Sequence, residues 1–240
     1  MQPLPTKFIE LPDAHIAYCE HGTGPHLILL HGNSESKRIF SHYQLEDFNM
    51  FTTHALDSRG HGETQSNDET LTIEKFSEDV IEVCRQKGIK QAFVIGYSDG
   101  GNIALFLAKK APELFPCLVA ISPNTLASGT EPGTLRSFQK MQRRMLFLKR
   151  LGFNTQKHLM RLDLMLTDIG LSNDDLKSIA TSVKIIYAEK DMIKEDHIQH
   201  IASLIPGAVL EKIPGCTHMN IYKQPKAVKS IKRFLLDETG

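Results

Sequence analysis

The segment VIGYSDGGNIALFLA, residues 94–108, sets a serine between an apolar run ending at Gly96 and a helical pattern beginning just after Ser98. A serine on so sharp a strand-to-helix turn has a strained backbone, and only small residues fit two positions to either side. Gly96 and Gly100 supply that room. The hydroxyl then stands at a helix N-terminus, whose aligned peptide dipoles favour developing negative charge. This placement suits a nucleophile of acyl transfer; an ordinary glycine turn with an incidental serine is the plainer alternative. A nucleophilic serine needs a base, and the base needs an orienting acid. Among the 11 histidines, His218 in IPGCTHMNIY is the candidate base, because it follows the last predicted strand on a Pro/Gly-punctuated loop and opens the last predicted helix. For the acid, the strand at 116–121 runs into Ser122-Pro123-Asn124, which holds no carboxylate, whereas the strand at 183–188 runs into Glu189-Lys190-Asp191. Asp191 is the candidate acid and Glu189 the lesser one. A tetrahedral oxyanion needs two donors. The backbone N–H of Asp99, opening the helix after the serine, is one. That of Asn33, in the turn of HLILLHGNSES that Gly32 permits, is the other.

The elements that must hold these residues follow from periodicity. Short β-like runs alternate with amphipathic ones, predicting strands near 6–11, 14–20, 26–31, 50–56, 91–97, 116–121, 183–188 and 208–213. Helices are predicted near 36–47, 74–88, 100–110, 195–204 and 220–236. The first two strands, split by Pro12-Asp13, read as an antiparallel hairpin. Later runs such as HLILL, AFVIG, CLVAI and VKIIYA are apolar on both faces, as strands covered on both sides are. The alternation predicts an α/β fold with a mostly parallel eight-stranded sheet flanked by helices. Only helical pattern fills the interval between Ile121 and Val183. That interval predicts a small helical lid, residues 124–181, inserted in a core of 1–123 and 182–240.

Five motifs now stand in order: His31-Gly32 after a strand, LDSRGHGET at 56–64, GYSDGG at 96–101, YAEKD at 187–191 and PGCTH at 214–218. In order and spacing the chain resembles the α/β-hydrolase superfamily across nearly its whole length. Within it the chain looks like the lid-bearing small-molecule serine hydrolases: carboxylesterases, enol-lactonases and C–C bond hydrolases. The resemblance implies that DSRGHG is a brace, so Asp57, Arg59 and His61 are read as structural. Departures narrow the field. Haloalkane- and epoxide-attacking relatives carry an aspartate where Ser98 stands. The HGGPG of iminopeptidase-like relatives is HGNSE here, and the GGG run of esterases for tertiary alcohols is absent.

From Thr125 to Ala180 the chain is basic, with 9 Lys and Arg against 5 Asp and Glu, so this stretch is +4 and the rest −4. Four of the 8 methionines fall in it, and Met141, Met145, Met160 and Met165 are candidate substrate-lining residues, since unbranched thioether chains fit irregular ligands. Whole-chain charge is balanced at 28 Lys and Arg against 28 Asp and Glu. The balance argues against nucleic acid as a partner and offers no obvious membrane-docking face, so neither nucleic acid nor membrane is expected. No apolar run approaches the ~20 residues of a membrane span, and the start MQPLPTKFIELPD lacks a signal-peptide pattern. The cysteines at 19, 84, 117 and 216 have no metal or disulfide spacing and read as reduced thiols, which places the chain in the cytoplasm. His197 and His200 have helical metal-ligand spacing without further ligands, and Cys216 lies two residues from His218 with no helix start to activate it. The expectation is a serine hydrolase for a small soluble carboxylic ester, acting through an acyl-enzyme and needing no cofactor and no metal. A lactonase or C–C bond hydrolase on the same residues is the alternative enzyme, with a lactone then as the small-molecule substrate in the first case, and a non-catalytic binder of the same fold is the alternative class.

Overall fold

A computed structural model describes residues 4–238. Its strands are β1 Lys7–Leu11, β2 Ala14–His21, β3 His26–Leu30, β4 Thr52–Leu56, β5 Gln65–Ser66, β6 Ala92–Tyr97, β7 Cys117–Ile121, β8 Ser182–Lys190 and β9 Val209–Thr217. Its α-helices are α1 Ile73–Gln86, α2 Asp99–Lys110, α3 Pro132–Arg150, α4 Gln156–Leu166, α5 Asn173–Lys177, α6 Glu195–Leu204 and α7 Pro225–Asp237. The strands form one sheet in the order β1-β2-β4-β3-β6-β7-β8-β9, with β5 paired to β2. From β4 to β9 every neighbouring pair is parallel, while β1, β2, β4 and β5 pair antiparallel. The eight predicted strands are all present. The ninth, β5, is a two-residue pairing of Gln65 and Ser66 with His15 and Ala14, too short to leave a pattern.

Side chains alternate across the sheet and build two apolar layers. Ile28, Leu30, Val94, Leu118 and Ile185 face a layer completed by α1, α2 and α6. Leu27, Leu29, Ile95, Val119 and Ile186 face a second layer completed by Phe40, Tyr43 and α7. Burial on both faces is why β7, CLVAI, reads as an unbroken apolar run. The four cysteines are free, and each is buried in these layers or beside them.

Three local expectations need correction. The predicted helix at 36–47 is instead a 3-10 turn, Lys37–Phe40, followed by a π-turn, Tyr43–Asp47. The Lys37 N–H donates to Asp57 Oδ1 at 2.6 Å rather than to a carbonyl one turn back. The Phe48 N–H reaches Tyr43 O, a spacing that lets Phe40, Tyr43 and Phe48 all bury their rings. The predicted helix at 220–236 begins only at Pro225, after a 3-10 turn at Ile221–Lys223, because proline suits the first helical position. The loop expected before His218 is strand: β9 continues through Pro214 and Gly215 to Thr217, with a register shift opposite Ala188 and Lys190. It is the edge strand, where the missing proline N–H costs no ladder bond.

Between β7 and β8 lie α3, α4 and α5 with a 3-10 turn at Ala127–Gly129. α3 packs against α4 and that turn, and none of its side chains is fully buried. α4 turns Leu159, Met160, Leu162 and Leu164 inward. Among the described residues no helix is long and apolar enough to cross a membrane.

Candidate active site

Parallel strands end together, so the turns after β3, β6, β7, β8 and β9 gather at one sheet edge. Ser98 sits on the β6–α2 turn with φ 55° and ψ −116°, a left-handed backbone that L-residues rarely adopt. The turn is tight enough to demand glycine. A Cβ on Gly96 would lie 2.0 Å from Gly100 O, and one on Gly100 would lie 2.0 Å from Leu30 O. The Ser98 N–H is held by Ile121 O at 2.8 Å, so β7 fixes the turn from the side.

His218, directly after β9, brings Nε2 to 3.1 Å from Ser98 Oγ and Nδ1 to 2.6 Å from Asp191 Oδ1. With a carboxylate accepting at Nδ1, the ring proton sits there, which leaves Nε2 free to accept from the serine hydroxyl. The imidazole is buried and stacks near the Tyr97 ring, whose hydroxyl donates to His218 O at 2.9 Å. Asp191 accepts from Ser122 Oγ at 2.5 Å, the Ala188 N–H at 3.0 Å and the Ile193 N–H at 3.1 Å. Burial alone would raise its carboxyl, but the bond and charge of His218, with the Ser122 and Ala188 donors, hold it below the ordinary value. Glu189 turns elsewhere and accepts the Gly215 N–H at 2.8 Å.

Asn33 and Asp99 flank the serine and are tied together. Asn33 Nδ2 donates to Asp99 Oδ2 at 3.0 Å and to Arg161 O of α4 at 2.9 Å. The Asp99 N–H belongs to the first turn of α2 and has no partner within the helix. Burial pushes the Asp99 carboxyl up to about 6, against the pull of the Asn33 amide and of His218.

A cavity of about 240 Å³ opens over Ser98 and His218. Met141 and Met165 line it, as do Phe138, Met192 and Met219. Met145 is not among its lining residues; it stands on the inner side of α3 and its carbonyl accepts from Thr155 Oγ1. Met160 is buried in the core layer and borders a separate cleft beside Leu71 and Ile73. Sequence reasoning missed Met192, Met219 and Glu35. The two methionines flank Asp191 and His218, and that adjacency was the available signal. Glu35 borders the cavity with a carboxyl raised by burial, and its place in HGNSE gave no sign of this.

The DSRGHG turn is a set of buried ties. Asp57 accepts from the Lys37 N–H, from Lys37 Nζ at 2.6 Å and from the Glu63 N–H at 2.8 Å. Arg59 is sheathed by Asp79, Asp13 and Asp68. His61 Nδ1 faces Arg59 O at 2.9 Å, and burial pushes this imidazole down to about 3. His197 Nε2 accepts from the Thr125 N–H at 3.3 Å. Cys216 Sγ donates to Ile213 O, and burial raises its thiol. Among the described residues no group of three His, Cys, Asp or Glu side chains is placed to hold a metal ion.

A family model described as the alpha/beta hydrolase fold matches residues 25–167. Over 102 residues the chain is 28% identical to the 2-(acetamidomethylene)succinate hydrolase of Mesorhizobium japonicum, an alignment covering 42% of this chain and 37% of that protein. The chain thus matches well under half the length of this curated relative. Carboxylesterase CesB from Bacillus subtilis superposes with a TM-score of 0.77 at 21% identity, covering 96% of this chain and 91% of that one. The structure of E-2-(acetamidomethylene)succinate hydrolase superposes with a TM-score of 0.79 at 18% identity, covering 96% and 98%.

Proposed function

From the premise that this chain belongs to the alpha/beta hydrolase fold family, we propose that it is a serine hydrolase cleaving a small carboxylic ester through an acyl-enzyme on Ser98. The observation that carries the reading is the hydrogen-bonded line Ser98–His218–Asp191, at 3.1 and 2.6 Å, on a strained turn under a cavity of about 240 Å³. In this reading His218 Nε2 takes the Ser98 proton as Oγ attacks the ester carbonyl carbon. The N–H groups of Asn33 and Asp99 hold the resulting oxyanion. His218 then returns the proton to the departing alkoxide, and a water that it deprotonates releases the acid. Asp191 fixes the imidazole tautomer and stabilises the imidazolium. Segment 124–181 acts as the lid, with Met141 and Met165 as its substrate-facing side chains.

The likeness to CesB in fold, and to a relative named as a hydrolase in sequence, supports the reaction class. Ser98→Ala should lower kcat/KM for p-nitrophenyl acetate by about 10³-fold or more and abolish labelling by a fluorophosphonate probe. The far-UV circular dichroism and Tm should stay close to wild type. An unlabelled wild-type protein would overturn the nucleophile. Labelling without ester turnover, across lactones and vinylogous diketones as well, would mark a binder that keeps the fold.

A further inference from the structure

The outer face of the α3–α4 hairpin has a charge that the balanced whole chain conceals. Between Pro132 and Met160 stand seven basic residues, Arg136, Lys140, Arg143, Arg144, Lys149, Arg150 and Lys157, and no acidic one. All seven are exposed, and among the described residues none has a carboxylate within 4.0 Å. On α3, Arg136, Lys140, Arg143, Phe147 and Arg150 recur at intervals of three and four and share one stripe, opposite the side that carries Phe138, Met141 and Met145. The far end of the hairpin is apolar as well as basic. Leu146, Phe147, Leu151 and Phe153 are 45%, 59%, 59% and 60% exposed. Large apolar side chains so exposed, within eight positions of one another and set among cations without an ion-pair partner, make a surface complementary to a partner that is both anionic and apolar.

We propose that this hairpin docks tip-first on an anionic lipid bilayer surface. Leu146, Phe147, Leu151 and Phe153 enter the boundary between headgroups and acyl chains, while the cations nearest that end of α3, Arg143, Arg144, Lys149 and Arg150, lie among the headgroup phosphates with their aliphatic stems along the apolar tip. Charge complementarity selects this occupant. A second copy of the chain would bring two such cationic faces together without a counter-charge. A protein groove that takes an amphipathic helix reads apolar anchors along one stripe. Here the stripe is cationic, and apart from Met141, which lines the cavity over Ser98, the exposed large apolar residues of the hairpin stand in the last turns of α3 and the connection to α4. The proposal goes beyond the hydrolase reading and does not depend on it.

Vesicle flotation of the full chain tests it. Wild type should bind vesicles of phosphatidylcholine with about 30% phosphatidylglycerol at least roughly tenfold more tightly than pure phosphatidylcholine at about 0.1 M salt, and about 0.5 M salt should remove most of the difference. A triple variant, Phe147→Ser, Leu151→Ser, Phe153→Ser, should lose about tenfold or more of the affinity for anionic vesicles. Arg143→Gln with Arg144→Gln and Lys149→Gln should lose a comparable amount. These side chains are exposed, so both variants should keep the wild-type Tm. Wild type remaining with the unbound fraction would overturn the proposal. So would a triple-serine variant that binds as tightly as wild type, which would indicate only attraction to polyanions. A concentration-dependent dimer that the same substitutions dissolve, without vesicle binding, would give the face to a second copy and also overturn it.

Discussion

Asp191 and Glu189 stand two residues apart, yet β8 sends their carboxylates to different partners. Asp191 meets the His218 imidazole, and Glu189 meets the Gly215 N–H of the edge strand. Asp191→Asn should therefore lower kcat by roughly 10³–10⁴-fold, because an amide can hold the wrong imidazole tautomer. Glu189→Gln should change kcat by less than about threefold, and the reverse order in a steady-state assay would move the acid to Glu189. Asp99 carries a different prediction. Its carboxyl is raised from 3.8 to about 6, so the native state holds this proton more tightly than the unfolded chain does. Its contribution to stability accordingly falls as pH climbs from about 4 to about 6, and above that a partly buried charge weighs on the fold. Asp99→Asn removes the charge while its amide oxygen can still accept from Asn33. It should stabilise the protein by about 1–2 kcal/mol at pH 7.5, a few degrees in Tm, with no gain below about pH 4. A melt series across that range checks both the size and the pH window. Ser98, His218 and Asp191 were legible because the turn after each strand confines the choice to a few residues. The Asn33–Asp99–Arg161 tie joins residues up to 128 positions apart, and no local pattern announces it.

At the scale of elements, the buried strands were legible because chains covered on both faces write continuous apolar runs, as CLVAI does. The segment at 36–47 was not, since its apolar spacing satisfies a helix equally well. Only Asp57, 20 residues away, redirects the Lys37 N–H and breaks the regular turn. The methionine expectation failed at Met145 and Met160 for a related reason. Composition marks helices rich in methionine, but which of those side chains line the cavity depends on how α3 and α4 pack. The cavity they leave over Ser98, about 240 Å³, is below the ~300 Å³ where sites for drug-sized ligands begin. Each methylene placed in it adds up to ~0.8 kcal/mol until the space is full. Across p-nitrophenyl esters from acetate to palmitate, kcat/KM should rise over the short acyl groups, peak near butyrate or hexanoate, and fall sharply by palmitate. A maximum at palmitate would contradict the cavity's size.

For the whole molecule, one sheet separates two apolar layers that draw on elements from β1 to α7. The cysteines sample that architecture: Cys19 on β2, Cys84 on α1, Cys117 on β7 and Cys216 on β9, with exposures of 4%, 0%, 1% and 1%. Burial raises every one of the four thiols, to about 12 at Cys84 and Cys117. A thiol that is both shielded and protonated does not meet a thiol-specific reagent until the layer around it opens. The chain therefore carries its own clock for unfolding, with one hand in each region. Under native conditions with a small aromatic disulfide reagent, Cys84 and Cys117 should react together, at a rate set by global opening and accelerated by urea in step with the loss of stability. Cys19 and Cys216, nearer the edges of the sheet, should react sooner if those strands fray separately. Mass spectrometry of partly labelled protein would then separate a molecule that opens all at once from one that comes apart strand by strand.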